Sequence, residues 1–261
     1  MRDMTGLKPM FRAVFAAFAL AAVLFASPAF AAGPFDNWAA LVVAGDSRAQ
    51  SGADSPVFDN ARRDLVTALK KMGFAEDHIQ QFSVHPERDP DGKALKSDGA
   101  TIYRNFENLT DQVTGGCFVY FTSHGAPLGI VIGPQLVAIR SIGDVIDNSC
   151  HDRPAIIVIS ACFSGMFIPV LRANNRFILT AARPDRTSFG CAEDLQYTFF
   201  DQCVLETLPT VEDFVALADK AKTCVADRET KEMVMPPSEP QLYVGTTIAP
   251  ALTQTYRFMV K

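Results

Sequence analysis

Two short segments carry residue types suited to thiol chemistry. Thr122-Ser123-His124-Gly125 follows the apolar run Phe118-Val119-Tyr120-Phe121, and Ser160-Ala161-Cys162-Phe163-Ser164-Gly165 follows Ala155-Ile156-Ile157-Val158-Ile159. A cysteine becomes a strong nucleophile when a neighbouring base favours its thiolate, and histidine, which titrates near neutrality, suits that base. Buried strands end at both residues, and in α/β sheets ligands bind beyond the carboxyl ends of strands. Cys162 is therefore the candidate nucleophile and His124 the candidate general base and acid. Gly125 and Gly165 let the backbone turn sharply. The N–H groups of Gly125 and Cys162 would stabilise a tetrahedral oxyanion. The plainer alternative makes Cys162 a small buried hydrophobe and His124 a turn residue. Two such segments, each at a strand exit, weigh against it.

The elements that must position these residues are legible from the pattern of apolar residues. Trp38 to Ala44 is a continuous apolar run ending at Gly45, as expected of a buried parallel strand. Phe58 to Met72 reads as an amphipathic helix stopped by Gly73. Ile79 to Val84 is a weaker strand, His85 to Gly99 a long loop, Ile102 to Val113 a helix, and Cys117 to Thr122 the strand leading to His124. Leu128 to Ile132 and Leu136 to Ile139 predict a hairpin, and Ser141 to Asn148 a short helix returning to the strand before Cys162. Arg176 to Ala181 is a further strand, Leu195 to Leu208 and Val211 to Val225 are helices, and Gln241 to Ile248 is a last strand. Strands alternating with helices imply a mainly parallel sheet covered on both faces.

The N-terminus reads as a targeting segment. Arg2, Lys8 and Arg12 precede the apolar stretch Ala13 to Ala26, and Ala29-Phe30-Ala31 supplies a small-x-small cleavage pattern. That stretch of about 14 residues falls short of the roughly 20 that span a bilayer. The expectation is a signal peptide at 1–31, a single domain at 32–261, a secreted or periplasmic protein, and no stable membrane insertion after cleavage. The formal charge is −5, and becomes about −7 once Arg2, Lys8, Arg12 and Asp3 are removed. An acidic chain without basic blocks argues against nucleic acid as a partner. All six cysteines lie in the exported portion, where some should pair, and a free Cys162 leaves at least one other unpaired. Scattered histidines without a ligand-spaced motif predict no metal, and no cofactor is expected.

Beyond these readings, Phe121 to Gly125 and Ser160 to Gly165 resemble the active-site segments of legumain-like cysteine peptidases, the caspase-related group that includes the catalytic subunit of the GPI transamidase. Leu41 to Gly45 looks like that family's first strand, and Thr180 to Pro184 with Thr187 to Cys191 like the segment after its later core strand. The resemblance runs from about Trp38 to Cys203. It implies a caspase-like three-layer α/β/α sandwich with a mainly parallel central sheet. It also implies a protein or peptide substrate, a His124/Cys162 dyad, oxyanion donors at Gly125 and Cys162, and an extended substrate lying against Thr180, Ala181 and Ala182.

The asparagine pocket of that family combines an arginine, a glutamate two residues before the nucleophile, and a later aspartate. Here Ser160 stands at the glutamate position, Ser55 aligns with the arginine, and Asp194 matches the remaining acid. An acid without its arginine favours a cationic P1 side chain; alternatively, Asp194 caps a helix starting at Leu195. Three competing functions stay open. A transamidase would use the same dyad, and a catalytically silent peptide-binding module would keep only the fold. A GDS-type esterase would use Ser47 of Gly45-Asp46-Ser47, but no histidine follows His151 to activate it.

Overall fold

The computed structural model describes residues 33–259, so the expected signal peptide lies outside the described residues. In chain order the elements are β1 (Ala39–Ala44), α1 (Val57–Met72), β2 (Ile79–Ser83), β3 (Leu95–Lys96), α2 (Gly99–Thr110) and β4 (Cys117–Thr122). There follow β5 (Gly125–Ala126), β6 (Gly129–Ile132), β7 (Gln135–Ala138), α3 (Ile139–Cys150), β8 (Ala155–Ser160), α4 (Ile168–Leu171) and β9 (Arg176–Thr180). The last are α5 (Phe199–Thr207), α6 (Phe214–Lys231), β10 (Gln241–Val244) and α7 (Ala249–Gln254).

Seven strands form one sheet in the order β10-β9-β8-β4-β1-β2-β3, parallel throughout except for β10, which runs antiparallel to β9. The six-residue strands β1, β4 and β8 are buried at every position, because their alternate side chains enter two different cores. Ala40, Val42, Phe118, Tyr120, Ile156 and Val158 pack toward α1, α5 and α6. Leu41, Val43, Val119, Phe121, Ile157 and Ile159 pack toward α2, α3 and α4. The result is the expected three-layer α/β/α sandwich.

Two disulfides tie helices into this frame. Cys117 at the start of β4 bonds Cys150 at the end of α3, and Cys203 on α5 bonds Cys224 on α6. Cys162 and Cys191 remain free thiols.

Several boundaries differ from the sequence expectation. The helix expected from Leu195 begins at Phe199, because the Thr198 side chain accepts the Asp201 N–H and caps it there. Asp194 therefore caps no helix. The next helix, expected to end at Val225, runs on to Lys231, and Glu229 within it is buried. The last strand stops at Val244 and leads into α7.

Candidate active site

The register of the two central strands brings the histidine and cysteine segments together. Thr122 pairs with Ser160 as the last residues of β4 and β8, and the Ser123 N–H donates to the Ser160 carbonyl at 3.0 Å. His124 and Cys162 thus leave neighbouring parallel strands at the same level. One residue further, the backbones touch: a Cβ on Gly125 would overlap the carbonyl oxygen of Cys162 and stand 3.0 Å from the Ala161 Cβ. The glycine after the histidine is required by this close approach rather than by a positive φ.

His124 is oriented by a backbone acceptor. Its Nε2 lies 2.8 Å from the carbonyl oxygen of Arg48, and its ring meets Phe58 edge-on with centroids 5.2 Å apart. A carbonyl only accepts, so Nε2 carries the proton and Nδ1 is left with a free lone pair. Arg48 is itself fixed by Asp46, a buried carboxylate that accepts from the Arg48 guanidinium through both oxygens at 3.0 Å and from the Ser47 N–H at 2.7 Å. The hydrogen bond to Asp46 raises the Arg48 pKa above its ordinary value. Among the described residues the Ser47 hydroxyl makes no hydrogen bond to His124, whose Nε2 is held by the Arg48 carbonyl instead.

Around Cys162 the chain is tightly constrained. Phe163 adopts a left-handed conformation with φ of 59°, a strained state for a bulky residue. Its N–H donates to the Arg186 carbonyl at 2.8 Å, while its carbonyl accepts from Met166 N–H at 3.0 Å. Gly165 lies against the segment that follows β9, where a Cβ would stand 2.6 Å from Pro184 Cδ and 2.9 Å from the Ala182 carbonyl oxygen. The half-buried thiol lies against Ser188, accepting its N–H at 3.3 Å with the Ser188 carbonyl oxygen 3.5 Å away. Among the described residues the Cys162 N–H has no hydrogen-bond acceptor.

A cleft of about 370 Å³ opens beside Ser188, between the loop Ala49–Ser51 and the segment Ser188–Leu195, with Phe199 and Val234 completing its wall. Glu193 and Asp194 line it, no arginine, lysine or histidine does among the described residues, and the Arg228 guanidinium stands 4.2 Å over the ring of Phe199 in its wall. Ser51 hydrogen-bonds Glu193 across the mouth. Cys191 also lines the cleft. Burial, and then the nearby Cys162, pushes its thiol pKa up. A larger groove of about 810 Å³ lies elsewhere, between α1 and the Leu205–Val211 segment, and contains none of these residues.

The other expected site residues are not presented to substrate. Thr180, Ala181 and Ala182 are fully buried. Thr180 pairs with Gln241 of β10, the Ala181 N–H donates to Ile159, and Ala182 exchanges hydrogen bonds with Ser164 and Gly165. With β10 already covering that edge, an extended peptide cannot pair there. Ser160 is also buried and faces inward, its hydroxyl 3.5 Å from that of Thr198. It belongs to a closed polar cluster around Asp201, which accepts from Tyr120 at 2.7 Å and from Thr122 at 2.5 Å.

Asp201, Asp46, Ser188 and the Arg48 carbonyl went unrecognised in the sequence. Backbone acceptors leave no trace in residue type. Asp201 did carry a signal, an acid one turn into the apolar run Phe199-Phe200, where a carboxylate demands buried partners. Burial raises its pKa, and the surrounding hydroxyls only partly offset that rise.

Residues 92–228 match the model of the Peptidase C13 family. No curated protein matches the chain by sequence. Among solved structures it is similar to caspase-1 from Spodoptera frugiperda, with a TM-score of 0.59 and 14% identity over 82% of this chain and 89% of that one. At that identity the likeness shows a caspase-like fold.

Proposed function

The chain belongs to the Peptidase C13 family of cysteine peptidases, and from that premise we propose that it is an exported endopeptidase acting through Cys162 and His124. The observation that carries this reading is the contact of Gly125 with the Cys162 carbonyl, which joins the two strand-end segments. His124 Nδ1 takes the thiol proton as Cys162 Sγ attacks the scissile carbonyl carbon. The N–H groups of Gly125 and Cys162 hold the resulting oxyanion. Collapse breaks the C–N bond, and the imidazolium returns its proton to the departing amine. Water, deprotonated by His124, then cleaves the thioester and frees the thiol.

The acidic residues Glu193 and Asp194 in the cleft lining support a basic P1 side chain, with those two carboxylates as its partners. Two disulfides in a small domain support an oxidising compartment, secreted or periplasmic. A panel of peptides differing only at P1 tests the specificity: the purified enzyme should cleave after arginine or lysine, and strict cleavage after asparagine would refute the basic pocket. Adding an amine nucleophile and analysing the products separates hydrolysis from transfer.

A further inference from the structure

Four of the six cysteines are closed in two disulfides, and the two that stay reduced share one place in the fold. Cys162 Sγ accepts the Ser188 N–H at 3.3 Å, and Cys191 follows Ser188 by three residues. Three residues of chain reach at most about 11 Å, and Ser188 and Cys191 line the same cleft. Cys191 also packs on the cluster containing Val57 and Phe58, and the Phe58 ring meets His124 edge-on. Its surroundings therefore touch both members of the dyad. Ser188 to Ala192 belongs to no helix or strand, so the segment carrying Cys191 can shift toward Cys162 without breaking a ladder. The mechanism proposed above has no use for a second thiol. An oxidising compartment, which the two disulfides support, leaves a nucleophilic thiol open to exchange with small disulfides.

We infer that Cys162 and Cys191 form a reversible disulfide that silences the nucleophile, with a small-molecule disulfide such as oxidised glutathione as the oxidant. This rests on the peptidase reading above, since the bond governs activity only if Cys162 is the nucleophile. The Cys162 thiolate attacks one sulfur of the small disulfide, the S–S bond of that molecule breaks, and one thiolate leaves. Cys191 then gives its proton to solvent, its sulfur attacks the Cys162 sulfur, and the second thiolate leaves. The two cysteines lose two electrons in all, and the small disulfide gains them. The order of the steps follows from the surroundings. Burial, and then the nearby Cys162, pushes the Cys191 pKa up, so Cys191 exchanges slowly by itself. Once Cys162 is in a mixed disulfide it carries no charge, and the second of those causes vanishes. Attack by Cys191 is then intramolecular, at an effective concentration on the order of millimolar. The structure holds the reduced form of the pair, and an added thiol regenerates it by the reverse steps.

The test exposes the purified protein, its two structural disulfides intact and Cys162 and Cys191 reduced, to excess oxidised glutathione. The reaction is quenched in acid and read by intact mass and peptide mapping. Wild type should become lighter by two hydrogens, with Cys162 joined to Cys191 and no glutathione retained. Cys191→Ser should stop instead with one glutathione on Cys162, and Cys162→Ala should keep Cys191 as a free thiol. Cleavage of a peptide with arginine at P1 should be lost as the wild-type disulfide forms and return on adding dithiothreitol. Glutathione retained on wild-type Cys162, glutathione on Cys191 in Cys162→Ala, two thiols still free after treatment, or activity surviving complete disulfide formation would overturn the switch. The bond is read by mass and the peptidase by cleavage, so the two readings fail separately. A disulfide that forms in protein unable to cleave any peptide when reduced would overturn the peptidase reading, and the silencing with it, while the bond itself stands.

Discussion

The Cα of Gly125 packs so closely on the carbonyl of Cys162 that no side chain fits between them. That contact brings the end of β4 against the end of β8. Gly125→Ala should cost about 1–3 kcal/mol by overpacking. The resulting displacement should slow reaction of Cys162 with a peptidyl thiol probe on the order of 100-fold. Rates of covalent labelling, followed by intact mass, check this. Labelling at the wild-type rate would mean that the contact has no role in alignment.

Asp46 reaches His124 through Arg48. Its carboxylate holds the arginine bidentately, and the Arg48 carbonyl receives His124 Nε2. Asp46→Ala should lower kcat about 10- to 100-fold with a smaller change in KM as the histidine loses its orientation. Asp46→Asn, which still accepts one guanidinium bond, should recover much of the loss.

Asp201 makes stability fall with rising pH. Its pKa in the folded protein is raised above that of the unfolded chain, chiefly by burial. Between the two values the folded state binds more protons, so stability declines as pH rises through that window and levels off above it. Asp201→Asn should flatten this part of the curve in urea unfolding measured across pH. Asp201→Ala should destabilise at every pH, leaving the Tyr120 and Thr122 hydroxyls buried without acceptors at about 1–3 kcal/mol each.

Thiol counting tests the cysteine framework. Denatured but unreduced protein should react at Cys162 and Cys191 only, and reduction should release the other four thiols. Because burial raises the Cys191 pKa, its alkylation in the native protein at neutral pH should be slow compared with that of an exposed cysteine. Replacing the Cys203–Cys224 pair by alanines should cost about 3 kcal/mol, from the loop it closes.

The sheet was legible because it rests on local patterns. β1, β4 and β8 are unbroken apolar runs, and His124 and Cys162 stand just past two of them. Substrate-facing residues were harder to read. Thr180, Ala181 and Ala182 lie at the end of β9, but β10, contributed from far downstream, pairs with that strand from Thr180 back to Phe177 and closes its edge. Pairing of that kind depends on tertiary contacts that no local pattern encodes. Ser160 was expected in a pocket, but the last residue of a strand can face either layer, and Asp201 draws its hydroxyl inward. The early start expected for α5 has a similar origin. Leu195 fits a helical apolar pattern, yet the Thr198 cap sets the boundary at Phe199.

The central claim is that Cys162 is the nucleophile and His124 its base. The most direct measurement is the rate and site of alkylation by a peptidyl acyloxymethyl ketone bearing arginine at P1, whose carboxylate leaves as the S–CH2 bond forms, mapped by mass spectrometry. Wild type should be modified at Cys162 alone, Cys162→Ala not at all, and His124→Ala on the order of 100-fold or more slowly. Modification at Cys191, persistence of labelling in Cys162→Ala, or a wild-type rate in His124→Ala would contradict the account.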